Sequence, residues 1–176
     1  ISLNGTWVAM DETRDAYTVS ELVTEFNSAK SISLTLKRPL AKLRVITTDM
    51  EELLGLTPQT ATVSYVTEHY NTFNALQSVV GDSKVGGCEH KNYEIKAYEK
   101  DPKTNKVLFT DYFFAEAGDV VKFDFDVFDQ NNQSIKANSF GTEISVKRNY
   151  LTTIKGNILT DGKGFTVTIE EEFENK

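Results

Sequence analysis

Over most of this chain apolar and polar residues alternate with period two, the pattern of strands that bury one face and wet the other. Ile32, Leu34 and Leu36 alternate with Ser33 and Thr35, and Ala41, Leu43 and Val45 alternate with Lys42 and Arg44. Pro39 stands between these runs; it cannot donate to a ladder and predicts a bend or an edge position. Strands are also expected around Val63 and Tyr65, around Tyr93, Ile95 and Ala97, around Ile144 and Val146, and around Phe165, Val167 and Ile169. The clearest run interleaves Val121, Phe123, Phe125 and Val127 with Lys122, Asp124 and Asp126, so the four apolar side chains should enter one core. Residues 107–114 are strand-like but evenly apolar.

Turn residues punctuate these runs. Asp101-Pro102-Lys103-Thr104-Asn105 reads as a hairpin connection between 93–98 and 107–114. Ala117-Gly118-Asp119 leads into the Phe-rich strand, Asp129-Gln130-Asn131-Asn132 ends it, and Asp161-Gly162-Lys163-Gly164 introduces the last strand. The three strands between 93 and 127 therefore look like an antiparallel meander. Helix is scarce. Val19, Leu22, Val23 and Phe26 have helical spacing, with Thr18 and Glu21 placed as a capping box, and predict a short helix. Asp49 as N-cap and Gly55 as stop predict one or two further turns. Residues 70–80 read as a loop with at most one helical turn. The expected fold is mainly β: an antiparallel Greek-key sandwich of transthyretin or immunoglobulin type, with about seven to nine strands and one or two short helices.

Composition narrows the function. The chain has 176 residues, a length that fits one domain over 1–176 able to bury a conventional core. Its formal net charge is -7. An acidic surface disfavours nucleic acid and anionic membranes as partners. No run approaches the roughly 18 apolar residues of a membrane span. The chain opens Ile1-Ser2-Leu3-Asn4 without a leading Met, which suggests a processed or trimmed sequence.

The residues offer no catalytic set, no cofactor-binding set and no metal-ligating set. The histidines are His69 and His90, and the one cysteine is Cys88. Cys88 and His90 lack the second ligand pair that structural zinc needs, and read as a loop thiol and a solvated imidazole. A nucleophilic Cys88 would need an orienting histidine and a third group, for which nothing in the sequence argues. Asp124, Asp126, Asp129, Asn131 and Asn132 form the densest oxygen cluster, but Asp124 and Asp126 are explained as the wet partners of Phe123 and Phe125. Should calcium bind weakly at 124–132, chelation would lower the melting temperature. Glu170, Glu171 and Glu172 read as a charged strand end that resists edge pairing. Trp7 reads as packing in preference to a sugar platform.

Two segments resemble the fimbrillin-like surface proteins of Bacteroidales. One is Leu34-Thr35-Leu36-Lys37-Arg38-Pro39-Leu40-Ala41-Lys42-Leu43. The other is Val146-Lys147-Arg148-Asn149-Tyr150-Leu151-Thr152-Thr153-Ile154-Lys155-Gly156-Asn157-Ile158-Leu159-Thr160. Residues 11–17 and 73–76 are also similar to that family. From the residues themselves, Arg38 could pair with an acid, Asn149 could bond neighbouring backbone at a turn, and Gly156 could mark a bulge or close approach. The resemblance implies a lipid-anchored precursor, outer-membrane export and a non-enzymatic role as pilus subunit or adhesin. Other fimbrial subunits or surface ligands would be its partners, joined by strand addition, and the lipid anchor would be its only membrane contact. It also implies strand-like sequence upstream of Asp15-Ala16, so that this chain would present an open groove or unpaired edge. The competing reading is a glycan- or calcium-binding sandwich, which would show exposed Trp7 or Tyr residues in a groove. A hydrolase would need a cleft of mutually bonded titratable groups.

Overall fold

A computed structural model describes residues 9–24, 27–86, 89–96, 105–160 and 164–170. Among the described residues the backbone forms twelve strands, most of them in two stacked sheets. They are β1 (Leu40–Thr47), β2 (Thr60–Tyr65), β3 (His69–Tyr70), β4 (Phe73–Asn74), β5 (Val79–Val80), β6 (Lys84–Val85), β7 (Glu89–Glu94), β8 (Lys106–Phe114), β9 (Val120–Phe128), β10 (Ser134–Ser145), β11 (Leu151–Gly156) and β12 (Phe165–Glu170). One sheet runs β12-β11-β1-β8-β3-β6, the other runs β10-β9-β2-β7, and β4 with β5 makes a separate hairpin. The fold is thus a mainly β sandwich. Its helices reduce to two 3₁₀ turns among the described residues, Glu12–Arg14 and Met50–Leu53.

Alternation places the core. Ala41, Leu43 and Val45 of β1 and Val121, Phe123, Phe125 and Val127 of β9 are all enclosed, as their spacing predicts. They meet between the sheets, where Phe109 of β8 lies 5.5 Å from Phe123 and 5.4 Å from Phe125 by ring centroids. Even apolarity in β8 also has its cause: the strand is buried on both faces. Phe113 enters the main core. On the other face Tyr112 and Phe114 join Leu40, Phe73 and Leu151 in a second cluster under the β4–β5 hairpin. Residues 70–80 are therefore a hairpin and not a loop with a helical turn. Asn74 shapes its turn, its Oδ1 accepting from the Leu76 and Gln77 amides.

Other expectations are corrected. β7, β8 and β9 are not a meander: β8 belongs to one sheet and its two chain neighbours to the other. Periodicity fixes which side chains are buried but not which layer a strand joins. The antiparallel rule has one exception, since β11 runs parallel to β1. Residues 19–24 form no helix and are exposed except for the half-buried Val23, and Phe26 lies outside the described residues. A helix of two turns is not stable without a surface to pack on. Residues 31–36, expected as a strand, are exposed throughout and join no sheet among the described residues. The 101–104 part of the first turn and residues 97–98, Trp7, Cys88, 161–163, Glu171 and Glu172 lie outside the described residues.

The two family-like segments meet in space. Asn149 Oδ1 accepts from the Arg38 amide at 3.0 Å, so its bond is not to neighbouring backbone but to a residue 111 positions away, just before β1. Its own amide donates to Leu40 O at 2.9 Å, and Lys42 donates to Tyr150 O at 3.0 Å. Asn149 reaches this position with a φ of 66°, a left-handed conformation that Asn tolerates better than most residues. These bonds start the parallel β1–β11 pair. Arg38 grips Asp15 through two bonds, Nε to Oδ1 at 2.6 Å and Nη2 to Oδ2 at 3.0 Å, which tethers the N-terminal segment.

Candidate functional site

Asp111, Glu12 and Asp49 are acids engaged by several donors inside the molecule. Asp111 sits in the middle of β8 and points between the sheets. Its Oδ2 accepts from Tyr65 Oη at 2.7 Å and lies 3.0 Å from His90 Nε2, while its Oδ1 accepts from the Tyr112 amide at 2.8 Å. His90 is buried, so it is not the solvated imidazole expected. A bulge in β7 explains the error. Ala61 pairs with Tyr93 but Val63 pairs with His90, so two residues of β7 stand opposite Thr62. Asn92 occupies the bulge with a φ of 48°. The parity of β7 flips there and turns His90 inward. A period-two reading cannot see such a flip, although Asp111 was visible as a lone acid in an apolar run.

His69 packs beside this network, 5.0 Å from the Tyr65 ring and 4.8 Å from the Phe113 ring. Burial penalises its charged form more than Asp111 favours it, and its pKa falls to about 4. The imidazole is thus neutral at pH 7. The Tyr65–His90–Asp111 network has catalytic residue types but is sealed in the core, with every member at most 5% exposed. A shallow pocket beside β3 holds the Lys84–Asp119 ion pair at 2.9 Å and has a cavity volume of about 10 Å³. That is far below the roughly 300 Å³ at which ligand sites begin.

The second acid, Glu12, comes from the first 3₁₀ turn. Its carboxylate takes Lys42 Nζ at 2.6 Å, Tyr112 Oη at 2.7 Å and Thr110 Oγ1 at 2.8 Å. Burial opposes ionisation, but these donors overcome it and hold the pKa at about 2. The third, Asp49, accepts from Thr47 Oγ1 and from the amides of Leu159 and Thr160 at 3.0 and 2.7 Å. Burial raises its pKa and these donors more than reverse that. Asp49 thereby fastens the chain that follows β11. Asp129, from the expected oxygen cluster, spends Oδ1 on the amides of Asn131 and Gln133 in its own turn. Asp126 Oδ1 accepts from Ser134 Oγ at 2.6 Å. Among the described residues no group of three or more His, Cys, Asp or Glu could hold a metal ion.

The molecule's open side lies elsewhere, at β12. This strand ends the six-stranded sheet. Val167 pairs with Ile154, a core residue, and the Phe165 ring lies 5.3 Å from that of Phe140 on the opposite sheet. Phe165, Val167 and Ile169 therefore point toward the space between the sheets, yet they are 42%, 41% and 47% exposed. Asn157 donates to Gly164 O at 3.1 Å, and Gly156 pairs with Phe165. That register turns the peptide groups of Thr166, Thr168 and Glu170 toward β11 and those of Phe165, Val167 and Ile169 toward the free edge. Among the described residues β12 thus offers an unpaired ladder and a half-covered apolar face together. Gly156 brings it close, as the expected close approach: a Cβ there would stand 2.4 Å from Phe165 Cα.

The whole sequence, residues 1–176, matches the model of a family of unknown function, DUF6562. The chain belongs to that family. No curated protein matches this DUF6562 chain in sequence. Among solved structures it is similar to a putative cell adhesion protein from Bacteroides ovatus, at 11% identity and a TM-score of 0.45. That match covers 82% of the DUF6562 chain and 49% of the other, so the chain spans about half the length of that structure. No helix among the described residues is long and apolar enough to cross a membrane.

Proposed function

We propose that this chain is a non-enzymatic structural or adhesive module of the cell surface, related to fimbrial subunits, whose β12 edge receives a strand from a partner. The observation that carries this reading is β12 itself. An inward-pointing apolar row left half exposed beside an unpaired ladder is the geometry that β-augmentation uses: backbone bonds supply affinity and alternate side chains set the register. The paired segments 34–43 and 146–160, which resemble fimbrillin-like proteins, support it further. So does the use of His90, Asp111, Glu12 and Asp49 as internal fasteners, each engaged by several donors or neighbours inside the fold. Fimbrial subunits or surface ligands are the partners, and a lipid anchor on the precursor is the route to the membrane.

The test is made on cells that produce the native precursor. Antibody to this chain should label intact cells, and external protease should remove the signal. Deleting the gene should reduce surface fibres or attachment. A signal that stays inside the cell after protease treatment overturns the reading.

A further inference from the structure

We infer that the strand completing β12 is residues 31–36 of a second copy of the chain. This deepens the assembly reading above and rests on it. Residues 18–24 and 27–37 are two limbs of an arm pinned at its base by the Thr18–Lys37 bridge, with bonds of 2.8 and 3.1 Å. Along its returning limb Ile32, Leu34 and Leu36 are 49%, 51% and 58% exposed. Among the described residues their backbone joins no helix and no sheet. The limb therefore has the side-chain pattern of a half-buried strand without the sheet that such a pattern needs. β12 has the converse, a sheet edge and an apolar row without the covering strand.

The two pieces match in length, phase and charge. Each has three apolar residues at alternate positions over six residues. Residues 28–37 carry Lys30 and Lys37 and no acid, whereas 165–172 carry Glu170, Glu171 and Glu172 and no base. Copies with a net charge of -7 repel one another overall, so a stable contact needs a local region of opposite sign. The arm and the β12 end supply it. Antiparallel pairing sets Ile32 opposite Ile169, Leu34 opposite Val167 and Leu36 opposite Phe165, and brings Lys30 beside the acidic end. The outward peptide groups of Phe165, Val167 and Ile169 then gain partners. Because each copy holds one arm and one edge, the contact is head-to-tail and propagates.

The experiment is sedimentation of the full chain over a wide concentration range, with Leu34→Asp and Val167→Pro. Leu34→Asp changes an exposed arm residue and leaves the edge intact. Val167→Pro removes an outward amide where an edge strand tolerates proline. Thermal unfolding by circular dichroism checks that each variant folds; if Val167→Pro does not, Thr35→Pro in the arm and Val167→Lys at the edge replace the pair. The wild type should form a concentration-dependent series of oligomers, and each variant alone should stay monomeric. Mixed together, the two variants should form heterodimers and nothing larger, because one supplies the edge and the other the arm. A wild type that remains monomeric at every concentration overturns the inference. So does an unimpaired Leu34→Asp. If the edge variant alone abolishes association, the arm is not the donor, while the strand-accepting edge of the proposed function stands.

Discussion

Arg38 shows how much one side chain can organise. Its guanidinium holds Asp15 bidentately while its amide donates to Asn149, so it joins the N-terminal segment, β1 and the start of β11. Replacing it with alanine keeps the amide bond but strands a half-buried carboxylate. Arg38→Ala should cost about 1–2 kcal/mol, after allowance for the solvent that reaches Asp15, and this reads as a lower melting temperature. His69 sets a pH response. Its folded pKa of about 4 lies below the ordinary 6.5, so between these values the unfolded chain binds more protons than the folded one. Stability then rises with pH through that window and is lost as pH falls from 6.5 toward 4. Denaturant unfolding at several pH values should show this slope, and His69→Phe, which cannot protonate, should flatten it. Glu12 adds a second loss lower down, as pH falls from 4.5 toward its folded value of about 2.

At the scale of elements, β12 depends on β11 for its pairing and on Gly156 for its distance. A Cβ at Gly156 would lie 2.3 Å from Gly164 O and 2.4 Å from Phe165 Cα, both backbone atoms that cannot move without shifting the strand. Gly156→Ala should therefore loosen β12 from β11 and destabilise by about 1–3 kcal/mol. Hydrogen exchange should locate the damage: amides of Thr166 and Thr168 should exchange faster while those of β9 keep their protection. Loss of protection spread evenly through both sheets would contradict this division.

The described residues combine a sealed interior with a half-covered apolar edge at β12. Its charged network faces inward, its aromatic core spans both sheets, and its exposed apolar rows lie on the arm and on β12. Association between copies through these rows is assisted by opposite charges in an otherwise acidic chain. Raising the salt concentration should therefore weaken self-association, because screening acts on the exposed Lys–Glu contacts. Sedimentation at low and high salt checks this. Association that strengthens strongly with salt would place apolar burial alone in control.

The sequence by itself determined the class of fold, most strand positions and the residues of the core, because period-two alternation is a local property of the chain. It also marked Arg38, Asn149 and Gly156 as structural, though not their partners. Only the tertiary structure decided which strand joins which sheet, since pairing depends on contacts far apart in sequence. It set β11 parallel to β1, split β7, β8 and β9 between layers, and turned His90 inward through a bulge that breaks parity. It also decided that residues 19–24 form no helix and that 31–36 join no strand among the described residues. Both patterns state a need for a covering surface, and a pattern in sequence cannot supply the surface that would meet it.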